Sequence, residues 1–227
     1  QITPDSYTND KSLIHSANIL ESLKEFSERI PRYRDTGTIV DNTLLEAGKN
    51  STAEAGTIYL YPNGKLQFSY VHNDKLFSAD TVNKFVYSNA ELEVDESTIA
   101  GYAAYHKKAV MTDDVYAIPE DRPYTFNKSF DEAAGYRTKS VLAVPILSGK
   151  RELMGIIQLI NSQNEKGDIV TFTAQNKMMV EMLAMYASSE ISRAIMSRSI
   201  ILRMLSLTTL RDPKENEGHF LRVGAYA

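Results

Sequence analysis

Two runs of β-forming apolar residues, VLAVPIL at 141–147 and LMGIIQLIN at 153–161, are separated only by SGKRE, and the chain then continues from Thr173 to Leu210 without Pro or Gly. Near-continuous Val, Ile and Leu mark strands buried on both faces, so the pair reads as a central hairpin. Pro145 has no backbone donor for a ladder, and a bulge or irregular pairing is expected there. From Thr173 the apolar period is helical, and a helix of that length is far above the globular average. Ile191, Ile195, Leu202 and Leu205 recur at four, seven and three, an imperfect heptad interrupted by Arg198. The first half of this helix, to about Ala187, is expected to pack on its own sheet. The second half has no core to enter and is expected to meet the helix of a second copy.

The rest of the chain supplies the other elements. Ile19, Leu23, Phe26 and Ile30 share one face of a helix ending near Pro31, and a second helix is predicted over Thr38 to Gly48. GTIYLY, the turn Pro62-Asn63-Gly64 and KLQFSYVH then alternate at period two, with Leu66, Phe68 and Tyr70 on one face, which predicts a hairpin. After a polar region from Asn73 to Asp95, Ser97 is positioned to cap a short helix, STIAGYAAYHKK, with Ile99, Tyr102, Ala103 and His106 as its stripe. VMT at 110–112 reads as a short strand, and more than twenty residues from Asp113 show no regular pattern. Hairpins flanked by segregated helices predict an α+β domain with an antiparallel sheet.

Composition narrows the chemistry. A formal net charge of −4 and a pI near 5.6 argue against a nucleic-acid partner, and the richest apolar stretch, ILRMLSL, is far too short for a membrane span. The absence of cysteine removes disulfides, thiolate catalysis and thiolate-bound metals, and fits a cytoplasmic location. His15, His72 and His106 have no partners at metal-ligand spacing. MMVEMLAM reads as core and interface packing, and Asp113-Asp114 as loop capping rather than acid/base chemistry. The chain opens on Gln1, carries no secretory signal and stops within an apparent helix, RVGAYA, so it is read as a piece of a longer protein.

The irregular segment contains Tyr116, Tyr124, Phe126, Phe130 and Tyr136, interleaved with Arg122, Lys128, Arg137 and Lys139. Rings and cations together suit a planar polar ligand, with Ile99 and Ser140 completing the expected lining. The alternative is that the rings pack the loop onto the sheet while Asp121, Asp131 and Glu132 absorb the cations in surface pairs.

STIAGYAAYHKKAVMTDDVY, FNKSFDEAAGYRTKSVLAVPI and GIIQLIN followed by a long helix resemble a GAF domain, specifically those preceding HD-GYP phosphodiesterases. The resemblance covers roughly residues 13–195. It implies a six-stranded antiparallel sheet with helices on both faces and a sensory or dimerising role rather than catalysis, with residues 196–210 as a linker and dimerisation helix. Residues 211–227 resemble the start of an HD-GYP domain, in which Glu215 and His219 would be ligands of a divalent metal centre of iron or manganese type. Spaced four apart on a helix, the two can reach one cation together. The HD dipeptide, the GYP loop and the remaining ligands would lie beyond Ala227, so no phosphodiesterase activity and no cofactor are expected of this stretch. The implied function is control of a C-terminal cyclic-di-GMP-type phosphodiesterase in bacterial signalling, with a ligand-free dimerisation scaffold as the alternative. GAF-like sulfoxide reductases use cysteines, which are absent here. A cyclic nucleotide is disfavoured as ligand: Asn161 is followed by Ser162, and although Phe172 fits, Gln175 and Asn176 replace the acidic pair of the cyclic-nucleotide signature. The ligand is left unidentified.

Overall fold

A computed structural model describes residue 17 and residues 20–62, 64–73 and 91–211. Helix α1 (20–29) runs into a 3-10 turn, Ile30–Arg32, and Leu23, Phe26 and Ile30 are buried as their spacing predicts. Ile19 lies outside the described residues. Helix α2 spans Thr36–Ser51, longer than expected at both ends. The Asp35 carboxylate accepts from the Thr38 amide at 2.7 Å and starts the helix early, while Thr52, left-handed at φ 51°, closes it late.

Strands β1 (Ala53–Leu60) and β2 (Leu66–Asn73) form the first hairpin, with a register shift between Ile58 and Tyr59. Strand β3 (Glu91–Leu92) pairs with the outer edge of β2. Helix α3 (Ile99–His106) is capped by Thr98, whose hydroxyl accepts from the Gly101 amide at 3.0 Å. The expected cap, Ser97, is instead engaged by the Asp95 carboxylate. The α3 stripe also differs: Ile99, Ala100, Ala103 and Ala104 are buried, whereas His106 is exposed and its Nε2 lies 2.5 Å from a Glu96 oxygen.

Strand β4 (Val110–Thr112) precedes the segment read as irregular, in which the structure places a short helix, α4 (Ser129–Ala134), ended by Gly135 at φ 60°. Strands β5 (Val141–Leu147) and β6 (Leu153–Gln163) are the central hairpin. Pro145 sits in register opposite Ile156, and the ladder irregularity falls one step later, between Ile146 and Leu147. Strand β7 (Ile169–Val170) folds back on the end of β6. Helix α5 (Ala174–Arg211) starts on a reciprocal cap, in which the Thr173 hydroxyl accepts from the Asn176 amide and the Asn176 side chain accepts from the Thr173 amide.

The sheet is antiparallel with order β3-β2-β1-β6-β5-β4, and β7 is an addition to β6. Alternation along the central strands divides two cores. Leu142, Val144, Ile146, Ile157 and Leu159 face α1, α2 and α5, where they meet Phe26, Ile39, Leu44, Val180 and Leu183. Val141, Ala143 and Ile156 face the other way, against α3 and the crossing segment. Each fully buried Val, Leu, Ile or Phe among these contributes about 1.5–3 kcal/mol. On α5, Met179, Val180, Leu183, Ala184, Ala187 and Ile191 form the buried stripe. Beyond Ile191, the apolar residues Ile195, Met196, Ile200, Ile201, Leu202 and Met204 are exposed. Met178 and Met185 are exposed as well, so the Met-rich stretch is only partly core.

Candidate functional site

The crossing segment between β4 and β5 lies over the α3 side of the sheet and is fixed by two polar nodes. The first is Asp131 on α4, only 3% exposed. Its carboxylate accepts from the Tyr116 hydroxyl at 2.8 Å, the Thr138 amide at 2.7 Å and the Thr138 hydroxyl at 2.8 Å. Three donors on one buried carboxylate meet the requirement that a buried charge be hydrogen-bonded.

The second node joins β1, the crossing segment and β6. The Tyr136 hydroxyl donates to Glu54 at 2.7 Å, and the Asn161 amide group donates to Glu54 at 3.0 Å and to the Arg137 carbonyl at 2.9 Å. The Asn161 side-chain oxygen accepts from the Lys139 amide at 2.7 Å. Asn161 adopts φ 57°, a left-handed conformation that Asn tolerates better than most residues, and it has no solvent exposure. Burial, and after it the neighbouring Glu54 carboxylate, pushes the Tyr136 hydroxyl far above the ordinary tyrosine range. Tyr136 therefore remains a neutral donor.

Around these nodes the rings stack. The Arg137 guanidinium lies 3.4 Å from the centroid of the Tyr116 ring, Lys128 Nζ lies 5.1 Å from the same centroid, and Phe126 packs on Tyr116 at 5.5 Å. Partial burial, then the bond to Asp131, raises the Tyr116 pKa above its ordinary value.

The expected site residues thus divide into groups. Tyr116, Phe126 and Arg137 form one cluster with accessible surface. Tyr124 and Ile99 are core residues, with Tyr124 set edge-on to Tyr102 at 5.0 Å. The Ser140 hydroxyl, fully buried, donates to the Val170 carbonyl at 2.7 Å and holds β7 in place. The Phe130 side chain, Glu215 and His219 lie outside the described residues. The surface pairs expected of Asp131 do not form, because its carboxylate is turned inward to Tyr116 and Thr138. Asp114 caps the loop as expected, accepting from the Tyr116 amide at 2.9 Å. Among the described residues no cluster of His, Asp and Glu could hold a metal ion, and no helix is long and apolar enough to cross a membrane. Sequence reasoning missed Glu54, Thr138 and the structural part played by Asn161. The only local signal was a polar Asn ending an apolar strand run. Three clefts, of about 460, 510 and 640 Å³, lie beside α5.

An antiparallel sheet with a long-helix layer on one face and a crossing segment folded over the other defines an α+β domain. The model described as GAF domain matches residues 35–191, and the chain belongs to that family. It is 33% identical over 96 residues to a dual 3',5'-cyclic-AMP and -GMP phosphodiesterase 11A of Takifugu rubripes, a match covering 42% of this chain and 10% of that protein. The matched region is therefore a small part of that relative's length. The GAF domain of a phosphoenolpyruvate-protein phosphotransferase from Coxiella burnetii superposes with TM-score 0.62 at 13% identity, covering 81% of this chain and 98% of that one. A GAF domain/HD domain protein from Geobacter sulfurreducens gives TM-score 0.56 at 14% identity, covering 74% and 99%. At these identities the structures are similar in fold alone.

Proposed function

We propose that this GAF domain is a regulatory module, not a catalyst, which takes up a small molecule at the Tyr116, Phe126 and Arg137 cluster. In this reading the bound state passes along α5 to a C-terminal HD-GYP cyclic-dinucleotide phosphodiesterase, in a cytoplasmic bacterial signalling protein that dimerises through its helices. The observation that carries it is the division of α5 at Ile191, buried before that residue and apolar but exposed after it. A helix anchored in a ligand-binding domain and continued outward is suited to transmit which of two arrangements the ligand favours. The metal, of iron or manganese type, belongs in this reading to the HD-GYP domain, with Glu215 and His219 among its ligands. The phosphodiesterase relative is named for cyclic AMP and cyclic GMP, which places both in the ligand panel although Gln175 and Asn176 disfavour them.

Thermal-shift measurements with cyclic AMP, cyclic GMP and cyclic-di-GMP, followed by turnover of the full-length protein, test the proposal. A ligand that stabilises the domain and leaves turnover unchanged would sink the signalling role. Sedimentation of this chain against one ending at Ser192 tests the dimer, and a monomer in both would remove it.

A second reading, a ligand-free dimerisation scaffold, draws on a specific observation. Ile99, Tyr124 and Ser140 are consumed by packing and internal hydrogen bonds, and Arg137 covers the face of Tyr116 on which a planar ligand would stack. Failure of every ligand to shift the melting point, together with a dimer in sedimentation, is its expected signature.

A further inference from the structure

The turn between α1 and α2 and the exit of α5 form the walls of a cleft of about 640 Å³. Four arginines line it, Arg32 and Arg34 from the turn and Arg193 and Arg198 from the helix. Arg193 is already committed, since it donates to the Pro31 carbonyl at 2.5 Å and pairs with Glu190, and it thereby ties the helix to the turn. Arg32, Arg34 and Arg198 are exposed, and among the described residues none of them pairs with a carboxylate. The one acidic residue in the cleft, Asp35, is occupied as the α2 cap, with its carboxyl held below the usual range by the Thr38 hydrogen bonds.

Three guanidinium groups without a carboxylate partner among the described residues line one opening, against the single capping carboxylate of Asp35. Arginine presents a planar donor fork that matches phosphate oxygens two at a time, and several forks on opposite walls select an anion carrying more than one charge. We propose that this cleft binds a multivalent phosphate-type anion, which bridges the 31–37 turn to α5 just past the point where the helix leaves the core. The site is independent of any ligand over the sheet. Its consequence is local: a bridged anion fixes the direction in which the distal half of α5 departs. The cleft is also wide enough for more than a bare phosphate group, and Tyr33 supplies a ring on its wall, held by the hydroxyl bond to Asn42 at 3.0 Å. Inorganic polyphosphate and a nucleoside polyphosphate share the required chemistry.

The test is calorimetric titration of the 227-residue chain with inorganic triphosphate and, separately, with a nucleoside triphosphate, both at physiological ionic strength to screen diffuse attraction. Saturable binding is expected. The double variant Arg34→Ala/Arg198→Ala should weaken it roughly tenfold or more, while circular dichroism shows both proteins folded. Tighter binding of the nucleoside form would assign the Tyr33 wall to the base, and equal binding would assign the site to the phosphates alone. Hydrogen exchange of amides 193–203 should slow on binding in the parent and not in the double variant. A second basic cleft, lined by Lys107, Lys108, Arg151 and Lys177, is the control. Loss of binding in Lys108→Ala/Lys177→Ala with retention in the arginine variant would overturn the assignment. So would the absence of saturable binding.

Discussion

The Arg137 guanidinium stacks on the ring of Tyr116 while the Tyr116 hydroxyl donates to Asp131, so a cation, a ring and a buried carboxylate form one continuous column. The column joins the beginning of the crossing segment to its end. Removing its outermost member, Arg137→Ala, is expected to lower the melting midpoint by roughly 1–3 °C. Arg137→Lys should recover little of this, because an ammonium lacks the planar face that stacks. Circular dichroism melts of the two variants check it.

From β6, Asn161 satisfies groups on β1 and in the crossing segment, and its replacement leaves several of them buried without partners. Asn161→Ala is expected to cost about 2–4 kcal/mol in urea unfolding. Asn161→Asp should cost more near neutral pH, because it sets a second carboxylate against Glu54. That excess should shrink as the pH falls and the new group is protonated; an excess independent of pH would contradict the role given to Glu54.

Gly155 on β6 pairs with Leu60 in the β1–β6 ladder, and a Cβ there would fall on the neighbouring Tyr59 carbonyl oxygen. The obstacle is backbone and cannot rotate away. Gly155→Ala is therefore expected to destabilise the domain by about 2–4 kcal/mol, whereas Gly149→Ala, with open space around it, should be nearly neutral. Parallel denaturant titrations decide the comparison.

Glu46 on α2 holds α1 in place by accepting from Ser22 at 2.7 Å and pairing with Arg29 at 2.8 Å. Burial alone would raise its pKa, but Ser22, Arg29 and Asn50 together bring it below the ordinary value of 4.5. A carboxylate depressed in the folded state contributes stability above its unfolded pKa and loses it as the pH falls through the folded value. Stability should therefore decline from about pH 4.5 downward, and Glu46→Gln should flatten that decline while costing about 1–2 kcal/mol at neutral pH. Urea unfolding at a series of pH values measures both.

Local pattern made some of this architecture readable and left other parts hidden. VLAVPIL, VMT and the start of α5 appear as read, because continuous β-branched runs and a Thr-x-x-Asn cap are decided by neighbouring residues. The division of α5 is expected near Ala187, and the structure places the last buried position one turn later, at Ile191. Helix α4 was invisible because SFDEAA has too few residues for a period and is stabilised by the tertiary bonds of Asp131. Ser97 and Thr98 are adjacent hydroxyls equally able to cap α3, and Asp95 decides between them by engaging Ser97. Ser140 belongs to the expected lining, yet its hydroxyl is directed by a strand thirty residues away. Glu54 and Asn161, separated by 107 positions, offer no local sign that they will meet.

The twenty residues of α5 beyond Ile191 also set a mechanical scale. At 1.5 Å per residue they reach about 30 Å from the last anchored turn. A reorientation of about 5° at that turn, small enough to leave the buried stripe in contact, displaces the far end by about 2.6 Å, comparable to the helix shifts that separate switching states. In the proposed signalling role this turn would be the fulcrum of a long arm, and side-chain adjustments near Ile191 and Arg193 would count for more at the tip of α5 than equal adjustments along its packed half.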